Sequence, residues 1–272
     1  MYATDFEYDG MRLSDYGMMI CSFDNGGGLE TVSSGADLTF ETVKSARSDN
    51  FRLTNSKYEE CYSTTFQICK NNCLDDKKIL PMEVSAIQRW LCRKDNFHRF
   101  KVLQEGYEGI HWNATFSSKQ IEVAGQIVGL ELTLTTDSSY AYGEEQSVTF
   151  RTIESGGNYS IVATLYDLND EIGYIHPTVT ITNFTTGKLV ISDITDVFYE
   201  TTIDFENLDT ITINGKNKTI VSTNGYDLSG GKFNFVFPKL MNTFDERKNL
   251  YVIQGVDCEV TFSYCPKIKI GL

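Results

Sequence analysis

The sequence predicts a mainly β protein of two domains, the first β-rich with one α-helix and the second an antiparallel β-sandwich. Three observations carry this. Apolar residues recur at every second position in short runs, as at Leu130, Leu132 and Leu134, and period-2 alternation sets one strand face on a core and the other in water. Only Pro81–Leu91 shows apolar residues at helical spacing. Finally, at Gly129–Glu145 (GLELTLTTDSSYAYGEE) an alternating strand runs into a polar, tyrosine-marked joint. The expected domains are 1–141 and 142–272, with Asp137, Tyr140 and Tyr142 at the joint.

The elements follow in chain order. Phe6–Gly10 reads as a short strand closed by Asp9-Gly10, a strong two-residue hairpin signal. Met11–Ile20 continues as a second strand with a break at Gly17, and Asn25-Gly26-Gly27-Gly28 reads as a flexible loop. Glu41–Tyr58 is polar and poor in periodicity, and is expected as a long loop or extended arm; loops of this length inside compact domains usually serve a function. Tyr58–Ile68 alternates weakly, as a strand would. In the helix, Pro81 suits the first turn, where its missing N–H costs little. Ala86, Ile87, Trp90 and Leu91 make its apolar stripe. Phe100–Leu103, Ile110–Thr115 and the strand up to Leu134 complete the first half.

The second half alternates at Val179/Ile181, Leu189/Ile191, Ile203/Phe205, Ile211/Ile213, Phe233/Phe235/Phe237 and Val260/Phe262/Tyr264, with a hairpin turn at Asn214-Gly215. Short strands separated by Gly and Asn point to an antiparallel sandwich.

Composition narrows the function. The chain is 41% hydrophobic and 22% charged, which is a globular profile. Formal net charge is −13, spread evenly: residues 1–140 hold 14 basic and 20 acidic side chains, and residues 141–272 hold 10 and 17. No basic stripe forms, which disfavours nucleic acid as a partner. No stretch approaches the roughly 18 apolar residues of a membrane span, and no secretory signal opens the sequence. The seven cysteines are therefore expected to be reduced, and the sequons at Asn113, Asn158, Asn183 and Asn217 carry no weight.

No catalytic set emerges. Cys61, Cys69, Cys73 and Cys92 invite a zinc reading, but structural zinc wants two converging ligand pairs; buried thiols acting as small hydrophobes are the expectation. His98, His111 and His176 lie in unrelated contexts, and no nucleophile elbow, Walker loop or His-Glu-x-x-His is present. Asp204/Glu206 and Glu144/Glu145 fit an exposed acidic face better than a glycosidase pair. Trp90 and the Phe233/Phe235/Phe237 set read as core. No catalytic, cofactor-binding or metal-binding residue is assigned.

Taken in order, these landmarks resemble the distal tail protein (Dit) family of siphophage tail tips. The opening Phe6-x-Tyr8-Asp9-Gly10 with Ser14-Asp15-Tyr16-Gly17 is similar to that family's start, and Ile87-x-x-Trp90-Leu91 to the end of its single helix. Gly129–Leu134 into Asp137-Ser-Ser-Tyr140-Ala-Tyr142 resembles its closing strand and joint. In the second half, His176–Ile181, Thr201–Asp204 and Val260–Pro266 resemble its C-terminal β domain.

The resemblance implies a non-enzymatic virion component at the distal tail tip, assembled in the host cytoplasm. The first domain would form a hexameric ring joining the tail tube protein to the tail-tip hub. The second, galectin-like, would support host attachment by docking receptor-binding proteins or touching host glycans. A closed ring needs a heterologous interface, for which the candidates are Asn25, Gly26, Gly27 and Gly28 together with Arg47, Asp49 and Arg52 on the charged arm. The rival from another class is a stand-alone carbohydrate-binding β-sandwich protein, and a tail-associated hydrolase comes third.

Overall fold

A computed structural model describes residues 3–23, 35–46, 49–58, 60–71, 78–195, 199–243 and 245–272. The chain divides into two compact units: Met1–Gly143 with Ile268–Leu272, and Glu144–Lys267. The sequence-based boundary fell two residues earlier and gave everything after it to the second domain. Residues 268–272 instead return to the first unit, because Ile268, Ile270 and Leu272 have an apolar core to meet there. Two hydrogen bonds fix this return: Leu272 N donates to the Tyr62 hydroxyl (2.7 Å), and Tyr107 Oη donates to Gly271 O (2.9 Å).

The first unit runs through β1 (Phe6–Tyr8), β2 (Met11–Arg12), β3 (Met18–Cys21), β4 (Leu38–Lys44), β5 (Phe51–Tyr58), β6 (Ser63–Lys70), α1 (Pro81–Leu91), β7 (His98–Val102), β8 (Trp112–Val123), β9 (Gln126–Thr136) and β10 (Ala141–Tyr142). Seven strands form one antiparallel sheet in the order β2-β1-β7-β8-β9-β6-β3. Its pairing register explains the alternation in the sequence. Leu134 lies opposite Phe116, Leu132 opposite Phe66 and Leu130 opposite Ile68, so the three leucines share one inward face and are fully buried. The sheet curls until Ile20 N, on edge strand β3, donates to Thr4 O just ahead of β1 (2.9 Å). Between β2 and β3 the expected break is a 3-10 turn, Leu13–Tyr16, closed by Gly17 at φ 67, a left-handed conformation that favours glycine.

Helix α1 spans the residues its spacing predicts and buries Val84, Ile87, Trp90 and Leu91. Glu83 supports its start by accepting from Leu80 N (2.6 Å), the reciprocal half of a capping box. Trp90 enters the core: its ring is stacked with Phe6 (5.8 Å) and Tyr16 (4.6 Å), and its Nε1 donates to Tyr8 O (3.0 Å). A buried indole N–H left without an acceptor would be costly.

The second unit holds β11 (Gln146–Arg151), β12 (Ile153–Ser155), β13 (Asn158–Tyr166), β14 (Gly173–Ile175), β15 (Thr178–Asn183), β16 (Gly187–Asp193), β17 (Tyr199–Phe205), β18 (Thr210–Asn214), β19 (Thr219–Ser222), β20 (Leu240–Asn242), β21 (Lys248–Gln254) and β22 (Cys258–Tyr264). Two five-stranded sheets, β11-β22-β15-β18-β19 and β12-β13-β21-β16-β17, form the unit, and β14 and β20 make a separate two-stranded pair. Val179, Ile181, Ile211, Ile213, Val260 and Phe262 from the first sheet share one core with Leu189, Ile191, Ile203, Phe205, Tyr251 and Ile253 from the second. That is a sandwich.

The structure corrects two local readings. The alternation at Phe233, Phe235 and Phe237 predicts a single buried sheet face; instead Phe233 and Phe237 are buried while Phe235 is 64% exposed. The cause is a left-handed backbone at Phe235 (φ 56), which breaks the pleat. The Asn214-Gly215 turn is longer than a two-residue hairpin, since β19 resumes only at Thr219.

Candidate functional site

Glu41–Tyr58, expected as a long loop or extended arm, instead holds the later part of β4 and all of β5, which pair as an antiparallel ribbon. One residue interrupts the register: Glu41 faces Asn55 but Thr42 faces Leu53, leaving Thr54 as a bulge. The bulge is held by its own side chain, whose Oγ1 donates to Glu41 O (2.9 Å).

Cross-strand partners share a face, so the register sorts the ribbon into two. Leu38, Phe40, Thr42, Lys44, Phe51, Leu53, Ser56 and Tyr58 lie on one face, which holds most of the apolar side chains, and Thr39, Glu41, Val43, Arg52, Asn55 and Lys57 on the other. The polar face carries a Lys57–Glu41 ion pair (3.5 Å). On the apolar face Phe40, Phe51 and Leu53 are each about 60% exposed, with Leu38 at 38%. Lys44 Nζ sits 5.5 Å from the Phe51 ring centroid. An isolated two-stranded ribbon is marginal in water, and grouped exposed apolar side chains make its face a candidate contact surface.

Of the predicted interface residues, Asn25, Gly26, Gly27, Gly28 and Arg47 lie outside the described residues. Asp49 is exposed in the connection between β4 and β5, and Arg52 stands opposite Val43 on the polar face. The apolar residues were missed. The bulge at Thr54 shifts β5 out of phase, so Leu53 and Phe51 do not alternate with Ser56 and Tyr58.

The joint residues come together in the first unit. Tyr142 exchanges backbone hydrogen bonds with His111 (2.9 and 2.7 Å), and its hydroxyl approaches the Asp137 carboxylate (3.3 Å). Asp137 also accepts from Asn113 Nδ2 (3.0 Å). Tyr140 packs on Tyr58, at the end of β5. His111 is 8% exposed; burial, with Arg99 and Lys101 nearby, pushes its pKa down to about 4.

Cys61 is exposed, Cys69 and Cys92 are half-buried, and Cys73 lies outside the described residues. The expectation of a buried thiol therefore fails at Cys61. Among the described residues no three His, Cys, Asp or Glu side chains are grouped to hold a metal, and no helix is long and apolar enough to cross a membrane.

Residues 1–138 match a family model described as a phage tail protein N-terminal domain, and residues 140–264 one described as a phage tail C-terminal domain. Among solved structures, the chain is similar to the Dit protein of phage SPP1, described there as a paradigm of the hub adsorption apparatus in phages that infect Gram-positive bacteria. The TM-score is 0.64 over 96% of this chain and 98% of that one, at 13% identity. At that identity the likeness concerns the fold alone. No curated protein matches the chain.

Proposed function

The chain belongs to this family of phage tail proteins, and we propose that it is the distal tail ring of a long-tailed phage. In this reading six copies close into a ring through their first units. The ring joins the tail tube protein to the tail-tip hub, and its work is structural, not catalytic. The second unit, a galectin-like sandwich, faces outward and carries receptor-binding proteins or meets host glycans.

The observation that supports the reading best is the amphipathic β4–β5 ribbon. A ring built by one repeated heterologous contact needs a projecting surface that fits a different surface on the next copy. The face of Leu38, Phe40, Phe51 and Leu53 has that character. Burying such side chains from partial exposure is worth about 1–2 kcal/mol each, or several kcal/mol per contact. A stand-alone carbohydrate-binding module leaves this ribbon without a role.

The test is the double substitution Phe40→Ser with Leu53→Ser. Neither residue touches a buried core, so the expected result is an unchanged melting temperature with loss of ring assembly and of incorporation into tails. Normal incorporation of the double variant would overturn the ribbon's role.

A further inference from the structure

At one end of the sandwich in the second unit, three separate segments bring cationic and aromatic side chains onto Phe237–Lys239. His176, in the link from β14 to β15, places Nδ1 3.1 Å from Pro238 O. Only a protonated Nδ1 can donate there, so Nε2 carries the lone pair. Lys218, in the β18–β19 turn, donates to that Nε2 (3.1 Å), and its ammonium lies 4.8 Å from the Phe237 ring centroid. Lys239 Nζ lies between the rings of Tyr174 (4.3 Å) and Tyr199 (4.2 Å). The Tyr199 hydroxyl donates to Phe237 O (2.7 Å).

These groups are held in place. Lys218 adopts a left-handed backbone (φ 55), where a hairpin loop would more comfortably carry Gly. The turn also presses on His176, because a Cβ at Gly215 would stand 2.6 Å from His176 Cβ. The partners of the Lys218 ammonium, an imidazole and a phenyl face, are both neutral. They orient the charge without cancelling it. Burial, with Lys218 and Lys239 adding their charge, keeps the His176 pKa below its usual value. The result is a fixed positive charge at Lys218, on a half of the chain that holds 10 basic and 17 acidic residues. Beside it the Tyr174 ring is 55% exposed, a flat apolar face next to directed donors. This is how binding sites combine stacking area with a few convergent polar groups.

We infer that Lys218, His176, Lys239 and Tyr174 form a binding site for an acidic saccharide, a sugar ring that bears a carboxylate or phosphate group. The Lys218 ammonium takes the oxyanion, Tyr174 takes the ring face, and Lys239 holds the Tyr174 ring in place. The site rests on the glycan-binding reading of the second unit given above, not on ring assembly, so its failure would leave the ring untouched.

Isothermal titration calorimetry of the full chain tests it, with glucuronate and glucose 6-phosphate as the carboxylate- and phosphate-bearing probes. Glucose and a tetraglutamate peptide serve as comparisons. Saturable binding is expected for at least one acidic sugar, and which of them binds identifies the oxyanion. Lys218→Gln should weaken it about tenfold or more, the range of a charge-assisted contact. Binding of neither acidic sugar, equal binding of glucose, or unchanged affinity in Lys218→Gln would each overturn the inference. Tetraglutamate binding as tightly as the sugars would replace the saccharide with an acidic protein surface.

Discussion

The ring of Tyr140 meets the ring of Tyr58 edge to face, with centroids 5.1 Å apart and planes at 77°. Tyr58 ends β5 of the ribbon, and Tyr140 follows the last long strand of the first unit. The contact therefore ties the base of the proposed assembly ribbon to the segment that leaves the unit. Aromatic pairs of this geometry contribute about 0.5–1.5 kcal/mol beyond burial. Tyr140→Ala is expected to lower the stability of the first unit by about 1 kcal/mol and to raise amide exchange along β5. Unaltered exchange in Tyr58 and its neighbours would show that the ribbon is anchored elsewhere.

His111 makes the first unit sensitive to acid. Its folded pKa of about 4 lies below the ordinary value of 6.5, so the unfolded chain takes up a proton that the folded chain refuses. Stability is complete above about pH 6.5 and falls as the pH drops toward 4, by about 2–3 kcal/mol at most. Calorimetric melting at pH 7, 5.5 and 4 measures this loss, and His111→Gln is expected to flatten the dependence.

Asp167 acts in the opposite sense in the second unit. It is 1% exposed, and its Oδ2 has no hydrogen-bond partner among the described residues, while Oδ1 accepts from Asn169 N (2.8 Å). Burial raises its pKa above the usual carboxylate value, so the folded chain holds the proton more tightly than the unfolded chain does. The charged form is a burden at neutral pH. That burden lifts as the pH falls from the raised folded pKa to the unfolded value near 3.8. Asp167→Asn is expected to raise stability at pH 7 by about 1 kcal/mol, read by urea unfolding; a loss of similar size would contradict the burial argument.

Gly255, between β21 and β22, tolerates no side chain. It sits at φ 114, and a Cβ there would lie 2.0 Å from Lys188 O. Backbone atoms cannot step aside as a flexible side-chain end can. Gly255→Ala is expected to cost the second unit about 2–4 kcal/mol, seen as an earlier urea transition.

How much of this was legible in the sequence depends on where the apolar residues fall. Leu130, Leu132 and Leu134 alternate with polar neighbours because one face of β9 is buried, and the strand could be read directly. Helix α1 was legible from Pro81 and from the spacing of Ile87, Trp90 and Leu91. Strands β13 and β21 were not singled out. In β21, Leu250 and Val252 accompany the inward Tyr251 and Ile253, and apolar residues on both faces erase the period. The ribbon was hidden by a single bulged residue, Thr54. The saccharide-site cluster left no sequence signal, since Tyr174, His176, Lys218 and Lys239 converge only through tertiary folding. The return of Ile268–Leu272 to the first unit was equally invisible, because nothing local states which of two apolar cores a terminal segment will join.

The proposed function turns on closure of the chain into a ring through the apolar face of the β4–β5 ribbon. Light scattering across a concentration series, on the full chain and on the Phe40→Ser/Leu53→Ser variant, measures that closure. A species of six copies of the 30.7 kDa chain is expected to appear with rising concentration and to be missing from the variant. A ring that forms equally well in the variant, or a chain that stays monomeric even when mixed with tail tubes, would contradict it.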